Sequence, residues 1–522
     1  MSIVERPAVT EKVLGRGEAE EGALLRQSFV RRTLLDYAIY LPAMLAQAVG
    51  GVVTAAVISK LSTPSDFGNY TLGVNTMMVL SLLAGLWLNE AVIRFWAEAR
   101  HQGWLPRLYS TLLFLGFNAT WIVGVLAWVV LLLLRQRLDA EMFRYLVAAV
   151  ACFPLVVAFG AVRSLSRASG RSLVFSGLLL WRVIGGLGIG LAFALLLRAG
   201  ALGFLLGLGA AFGLVVLVFA IKARRTLWMA TSPAQFSPAL AVNTLRYGLP
   251  LTGNGIAALV LDISDRYIIG GFLSAYEVGI YALGYSIAYQ GMLLITDTFS
   301  AAMEPVIYQA WEAQSVEESR RLIEQLARYL GLAVIPVAAG LTLLSRPVVI
   351  LFSTPEYADG ALVVGPVCAA MICSAFATLY GRAFSLNKRT TPLFVLFAIA
   401  GVFNIIVNVI TVPRFGFMAA AWSTLASYTL LLAMTAFWSR RLLVLRLRGA
   451  WVWKAGVGAI GMALVVRLIE RVGQMLPGGA VLILQAVGGA LAYGLLLIIL
   501  RAVTVSELSS VWRLITSRFA KA

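Results

Sequence analysis

Runs of about 20 apolar residues, each long enough to cross a bilayer as a helix, recur along almost the whole chain. A membrane offers no water to backbone N–H and C=O groups, so runs of this length are met as helices that satisfy those groups internally. Fourteen such spans can be drawn over the 522 residues, among them 36–59, 245–272, 276–303 and 327–352, and finally 451–470 and 480–501. Only 13% of residues are charged, where a soluble domain carries about 25%. The expected fold is an all-α integral membrane protein of about 14 transmembrane helices.

Lysine and arginine settle the expected orientation. With both tails and every second loop placed in the cytoplasm, 31 of the 42 Lys and Arg fall on that side, 9 fall opposite, and Arg182 and Arg266 lie inside spans. That bias follows the positive-inside rule and absorbs most of the net charge of +18, so nucleic acid is not an expected partner. The first 30 residues mix arginines and glutamates and read as a charged tail, not a cleavable signal peptide.

An internal repeat organises the spans. Asp66-Phe-Gly68-Asn-Tyr70-Thr-Leu72-Gly73 returns 211 residues later as Glu277-Val-Gly279-Ile-Tyr281-Ala-Leu283-Gly284, and Arg198-Ala-Gly200 is echoed by Arg414-Phe-Gly416. Two six-helix lobes in the same orientation follow, with an extra helix pair at the end. The divisions are a cytoplasmic tail at 1–35, an N-lobe at 36–221, a link at 222–244, a C-lobe at 245–440, the extra spans at 441–501 and a second cytoplasmic tail at 502–522. Parallel repeats of this kind place a transport site between the lobes near the midplane. In the link at 304–326, Ser315-x-x-Glu318 is a capping-box pattern, and Leu322, Ile323 and Leu326 give the helix behind it an apolar stripe. A surface-lying amphipathic helix and a solvated linker helix both fit that pattern.

Enzyme signatures are missing. The single histidine, His101, falls in a loop, no phosphate-binding loop occurs, and Cys152, Cys368 and Cys373 have no metal-ligand spacing. Gly186-Leu-Gly188-Ile-Gly190 lies in mid-span without a preceding strand, where close helix packing through small residues explains it. No enzymatic activity and no cofactor are expected.

What remains is charge inside the membrane. A charged side chain at the bilayer centre costs about 2.5–3.5 kcal/mol on insertion scales, so it should face protein or water. Asp262, Asp265 and Arg266 fall at i, i+3 and i+4 and share one helix face, which Asn254 extends, and an Asp262–Arg266 pair would lower the cost of both. On the next span Ser286, Gln290, Asp297 and Ser300 form a polar stripe with Glu304 beyond, while Glu90 and Arg94 suit an interfacial salt bridge. Arg182 lies roughly 14 Å into the fifth span, too deep to snorkel comfortably. Arg182, Asp262, Asp265, Arg266, Gln290, Asp297 and Asn254 are therefore the candidate cavity residues, against a purely structural role for each. Guanidinium groups fit phosphate oxygens, and carboxylates can exchange protons or cations.

Short motifs in order along residues 30–440 resemble those of bacterial polysaccharide flippases, the Wzx-like branch of the multidrug/oligosaccharidyl-lipid/polysaccharide exporter superfamily. They are Ser65-Asp-Phe-Gly-Asn-Tyr70, Asp265-Arg-Tyr-Ile-Ile-Gly270 with Glu277-Val-Gly-Ile-Tyr281, Arg346-Pro-Val-Val-Ile-Leu-Phe352 with Glu356-Tyr-Ala-Asp-Gly360, Ser385-Leu-Asn-Lys-Arg389, and Asn404-Ile-Ile-Val-Asn408 with Pro413-Arg-Phe-Gly416. The resemblance implies a flippase for undecaprenyl-diphosphate-linked oligosaccharide, working by alternating access through a partly cationic cavity in the bacterial inner membrane. It carries over Asp265 and Arg266 by motif, leaves proton or sodium drive open, and implies the bilayer, the lipid-linked substrate, a polysaccharide polymerase and other assembly proteins as partners. A cation-coupled multidrug exporter, a membrane enzyme of glycan assembly and a scaffold stand as alternatives.

Overall fold

The computed structural model describes residues 42–43, 45–224, 235–313, 315–389, 391–445, 449–473 and 477–503. It is a helix bundle in which helices stand at all fourteen predicted positions. The N-terminal set is α1 (Leu45–Leu61), α2 (Pro64–His101), α3 (Leu105–Leu134), α4 (Ala140–Ala168), α5 (Ser172–Leu196) and α6 (Gly200–Lys222). The second set is α7 (Pro238–Phe272), α8 (Ala275–Ala313), α9 (Val316–Leu343), the short α10 (Ser345–Phe352), α11 (Ala361–Leu386), α12 (Thr391–Phe415) and α13 (Phe417–Ser439). The extra pair is α14 (Ala450–Val472) and α15 (Gly478–Ile499). Among the described residues, 12 helices are long and apolar enough to cross a membrane, and α1 is a shorter apolar helix.

Local chemistry sets the helix ends. Thr63 caps α2 by accepting from the Asp66 N–H, with Pro64 in the first turn, where a missing N–H costs nothing. Ser315 and Glu318 form the predicted capping box at the start of α9. That helix then runs unbroken for 28 residues, and its stripe is covered by protein: Ile323 and Leu326 pack with Ile307 and Trp311. The link is thus the first turns of the ninth span and not a separate surface helix. The predicted span 327–352 is divided instead, ending at Leu343 and restarting as α10 at Ser345. Leucines flank the break on its N-terminal side, so hydropathy does not mark it.

Small residues let the helices approach. A Cβ on Gly207 of α6 would lie 2.3 Å from the Gly190 Cα of α5, which gives the glycine run in α5 its packing role. The repeat does the same between lobes. A Cβ on Gly68 would fall 1.9 Å from the Ala275 carbonyl oxygen, and a Cβ on Gly279 would fall 1.9 Å from the Pro64 carbonyl oxygen. Positions 64 and 68 correspond to 275 and 279 in the repeat, so α2 and α8 cross with reciprocal contacts, as in a two-fold interface. At the same end, Ser59 Oγ donates to the Phe352 carbonyl at 3.2 Å and Tyr357 OH to the Ser62 carbonyl at 3.3 Å. The lobes are joined there.

At the opposite end α7 belongs to both lobes. Its first turns lie against α2 and α3: Tyr247 meets the Phe95 ring at 5.9 Å, and Leu240 and Leu245 pack with Trp87 and Leu88. After Pro250, inside the helix, the far half packs into the C-lobe core through Leu261 and Ile269. The extra pair attaches to α9, where Tyr493 OH donates to the Leu332 carbonyl at 3.1 Å.

Candidate functional site

The three charges of α7 do come together, in a closed network. Arg266 Nη1 lies 3.1 Å from Asp265 Oδ1 and donates to the Asp262 main-chain carbonyl at 2.6 Å. Its guanidinium carbon sits 4.1 Å from the centre of the Tyr285 ring of α8, a cation–π contact. The other Asp265 oxygen accepts from Tyr281 OH, and the Asp262 carboxylate accepts from Tyr428 OH of α13. The expected Asp262–Arg266 side-chain pair is therefore replaced by Asp265–Arg266. Tyr428 engages the Asp262 carboxylate, and Tyr285 holds the guanidinium over Asp265. Asp265 is 1% and Arg266 7% exposed, so in this structure both sit within the C-lobe instead of opening onto a free surface.

A neutral polar layer borders this network. Ser264 donates to Asn404 Oδ1 at 2.9 Å, Asn408 Nδ2 donates to the same oxygen at 3.0 Å, and Ser423 lies beside them. Tyr281, Tyr285 and Tyr289 stack along α8 with successive ring centres 5.8 Å apart. Their roles escaped sequence reasoning, although the spacing i, i+4, i+8 was there to be read.

The polar stripe of α8 divides along its length. Gln290 is half-buried, and its amide lies against Gly51 of α1, where a Cβ would be 2.5 Å from Nε2. Asp297 is exposed. Glu304 pairs with Arg382 of α11 at 2.5 Å. The Asn254 side chain lies outside the described residues. No Glu90–Arg94 ion pair forms among the described residues, and the Arg94 guanidinium sits 5.8 Å from the Phe95 ring centre instead.

Arg182 stands apart from these groups, in the N-lobe. Its neighbour Trp181 donates to the Ala211 carbonyl of α6 at 2.9 Å, and Val183 sits against Gly50 of α1. Arg182 itself is near enough to Tyr70 of α2 and Arg163 of α4 for their charges to interact. It is nonetheless exposed. Among the described residues no carboxylate comes within ion-pair distance of either arginine.

A family profile for "polysaccharide biosynthesis protein" matches residues 57–362, more than half of the chain. The chain belongs to this family. A curated relative, the probable flippase AglR of Haloferax volcanii, is 29% identical over 171 residues, which make up 32% of this chain and 35% of that protein. The chain thus spans about a third of that relative's length. Among solved structures, the lipid II flippase MurJ in an inward closed conformation aligns with a TM-score of 0.71 at 12% identity, covering 90% of this chain and 99% of that one. A MATE-family multidrug resistance transporter of the MOP superfamily, inward-facing, aligns at 0.60 and 14% identity, covering 78% and 97%. At these identities the likeness is one of fold. The chain is a multi-pass membrane protein of the polysaccharide biosynthesis family, with the fold seen in the MurJ and MATE structures.

Proposed function

We propose that this protein flips lipid-linked oligosaccharide from the cytoplasmic to the periplasmic leaflet during surface polysaccharide synthesis, in a bacterial inner membrane and with both termini in the cytoplasm. The carrying observation is Arg182: a guanidinium without a carboxylate partner among the described residues, exposed part-way along the apolar helix α5 of a bundle with the MurJ fold. A cation kept there at a cost of about 2.5–3.5 kcal/mol suits an anionic head group that enters and leaves. The lobes alternate access by rocking about the α2–α8 crossing. The lipid tail stays in the bilayer while the glycan passes between the lobes beside Gln290 and Asp297. Asp262 and Asp297 are the carboxylates through which a proton or sodium gradient would act. Asp265 and Arg266 brace α7 against α8.

The test is a leaflet-resolved assay of lipid-linked glycan in the source organism with and without this gene. Loss of surface polymer, with repeat units held on the cytoplasmic leaflet, supports flipping. Unchanged glycans with new sensitivity to cationic drugs would replace it by the multidrug reading, which the MATE-like fold also accommodates. Repeat units that reach the outer leaflet but stay unpolymerised would point to an enzyme or scaffold downstream.

A further inference from the structure

Helix α3 is the span the bundle covers least. Only 6% of its apolar stretch is buried, against 22–61% in the other spanning helices. Its inner face packs through small residues: a Cβ on Gly116 would lie 3.0 Å from Leu88 of α2, and one on Gly124 3.4 Å from Phe153 of α4. Asn118 stands about 200° around the helix from Gly116 and so points away from the bundle, and it is exposed. It lies 11 residues, about 16 Å, beyond Arg107 and 17 residues, about 26 Å, before Arg135, well inside the hydrocarbon. Its Nδ2 donates to the Phe114 carbonyl of its own helix at 2.7 Å. The Oδ1 acceptor and the second N–H have no partner among the described residues, and hydrocarbon supplies none.

The residues around Asn118 have a pairing period. Asn118, Trp121, Val125, Trp128 and Leu132 follow one another at steps of three, four, three and four, and all are exposed. That is the seam along which two helices cross at about 20° with interlocking side chains. One asparagine within such an apolar seam fixes register and partner number. At the inner end the seam stops at Phe114, whose ring is met at 4.9 Å by Phe236 of the chain's own link. We propose that α3 is the interface between two copies of this chain, with the two Asn118 carboxamides hydrogen-bonded across a two-fold axis along the membrane normal. A carboxamide both donates and accepts, so it is its own complement. Every copy enters the bilayer in one orientation, so the two-fold axis sets both Asn118 side chains at the same depth. A partner of different sequence would need a polar group at that depth by coincidence.

The experiment counts photobleaching steps of the fluorescently tagged full-length protein in liposomes over a range of protein-to-lipid ratios. Wild-type protein is expected to pass from one step to two as its density rises. Asn118→Leu should weaken the pairing about tenfold, the scale of interhelical hydrogen bonds in model peptides, at an unchanged melting temperature, since the side chain touches only its own helix. Asn118→Gln, which keeps the carboxamide, should pair more tightly than Asn118→Leu. A second readout does not depend on that position. In native membranes under mild oxidation, Val125→Cys should form a disulfide with its own copy, and Leu464→Cys, equally open on α14 at 65% exposure, should not. Wild type serves as the background for Cys373, the native thiol that is not buried. Single steps at every density, pairing by Asn118→Leu as tight as wild type, or cross-linking at Leu464→Cys as complete as at Val125→Cys would each overturn the interface. A Val125→Cys product whose mass is not twice that of the chain would place a different membrane protein on α3 and overturn the second copy.

Discussion

Removing either member of a buried ion pair strands the other. Arg266→Ala should cost about 3–5 kcal/mol because Asp265 would keep its charge with only Tyr281 OH and the Arg266 N–H to satisfy it. The expected outcome is a lower melting temperature of the detergent-solubilised protein, with Asp265→Asn/Arg266→Gln less destabilised than Arg266→Ala alone. Arg182→Ala should do the reverse, abolishing export of surface polymer while protein level and melting temperature stay near wild type. Helical spacing was enough to place Asp262, Asp265 and Arg266 on one face. It could not choose between the two aspartates, because that choice rests on Tyr428, 166 residues away from Asp262, and on Tyr285 of the following helix.

The capping box of Ser315 and Glu318 was readable from its own four residues, and helix neighbours were not. Ser315→Ala should remove about 1 kcal/mol from the first turn of α9, seen as faster amide exchange over residues 316–320 with the rest of the helix unchanged. An apolar stripe such as Leu322, Ile323 and Leu326 says that something apolar covers it, and periodicity alone does not tell lipid from Trp311. The division of the ninth span at Leu344 was equally hidden, since apolar residues continue through α10. Gly68→Ala or Gly279→Ala would drive a methyl group into a backbone carbonyl of the opposite lobe. Each should cost about 1–3 kcal/mol, typical of overpacking, and should raise the reactivity of a cysteine placed at Ser62 toward a membrane-impermeant thiol reagent as that end loosens.

At the scale of the molecule, apolar run lengths and a 211-residue repeat were together sufficient for the helix positions and the two-lobe plan. They left unread that α7 begins on one lobe and ends on the other. The shared helix predicts that Pro250→Ala, which restores a backbone donor and straightens the helix, shifts the balance between access states without unfolding the protein, measurable as altered thiol accessibility at the two ends of the bundle. The α2–α8 crossing has a consequence of its own. In a homodimer each mutation at a two-fold contact is inherited twice, so both halves of the crossing must change together. Here one gene encodes both halves, and a substitution at Gly68 leaves Gly279 untouched. Each lobe can therefore be revised alone around a shared pivot, which is how one half can keep Arg182 without a carboxylate partner among the described residues while the other pairs Arg266 with Asp265 and Arg382 with Glu304.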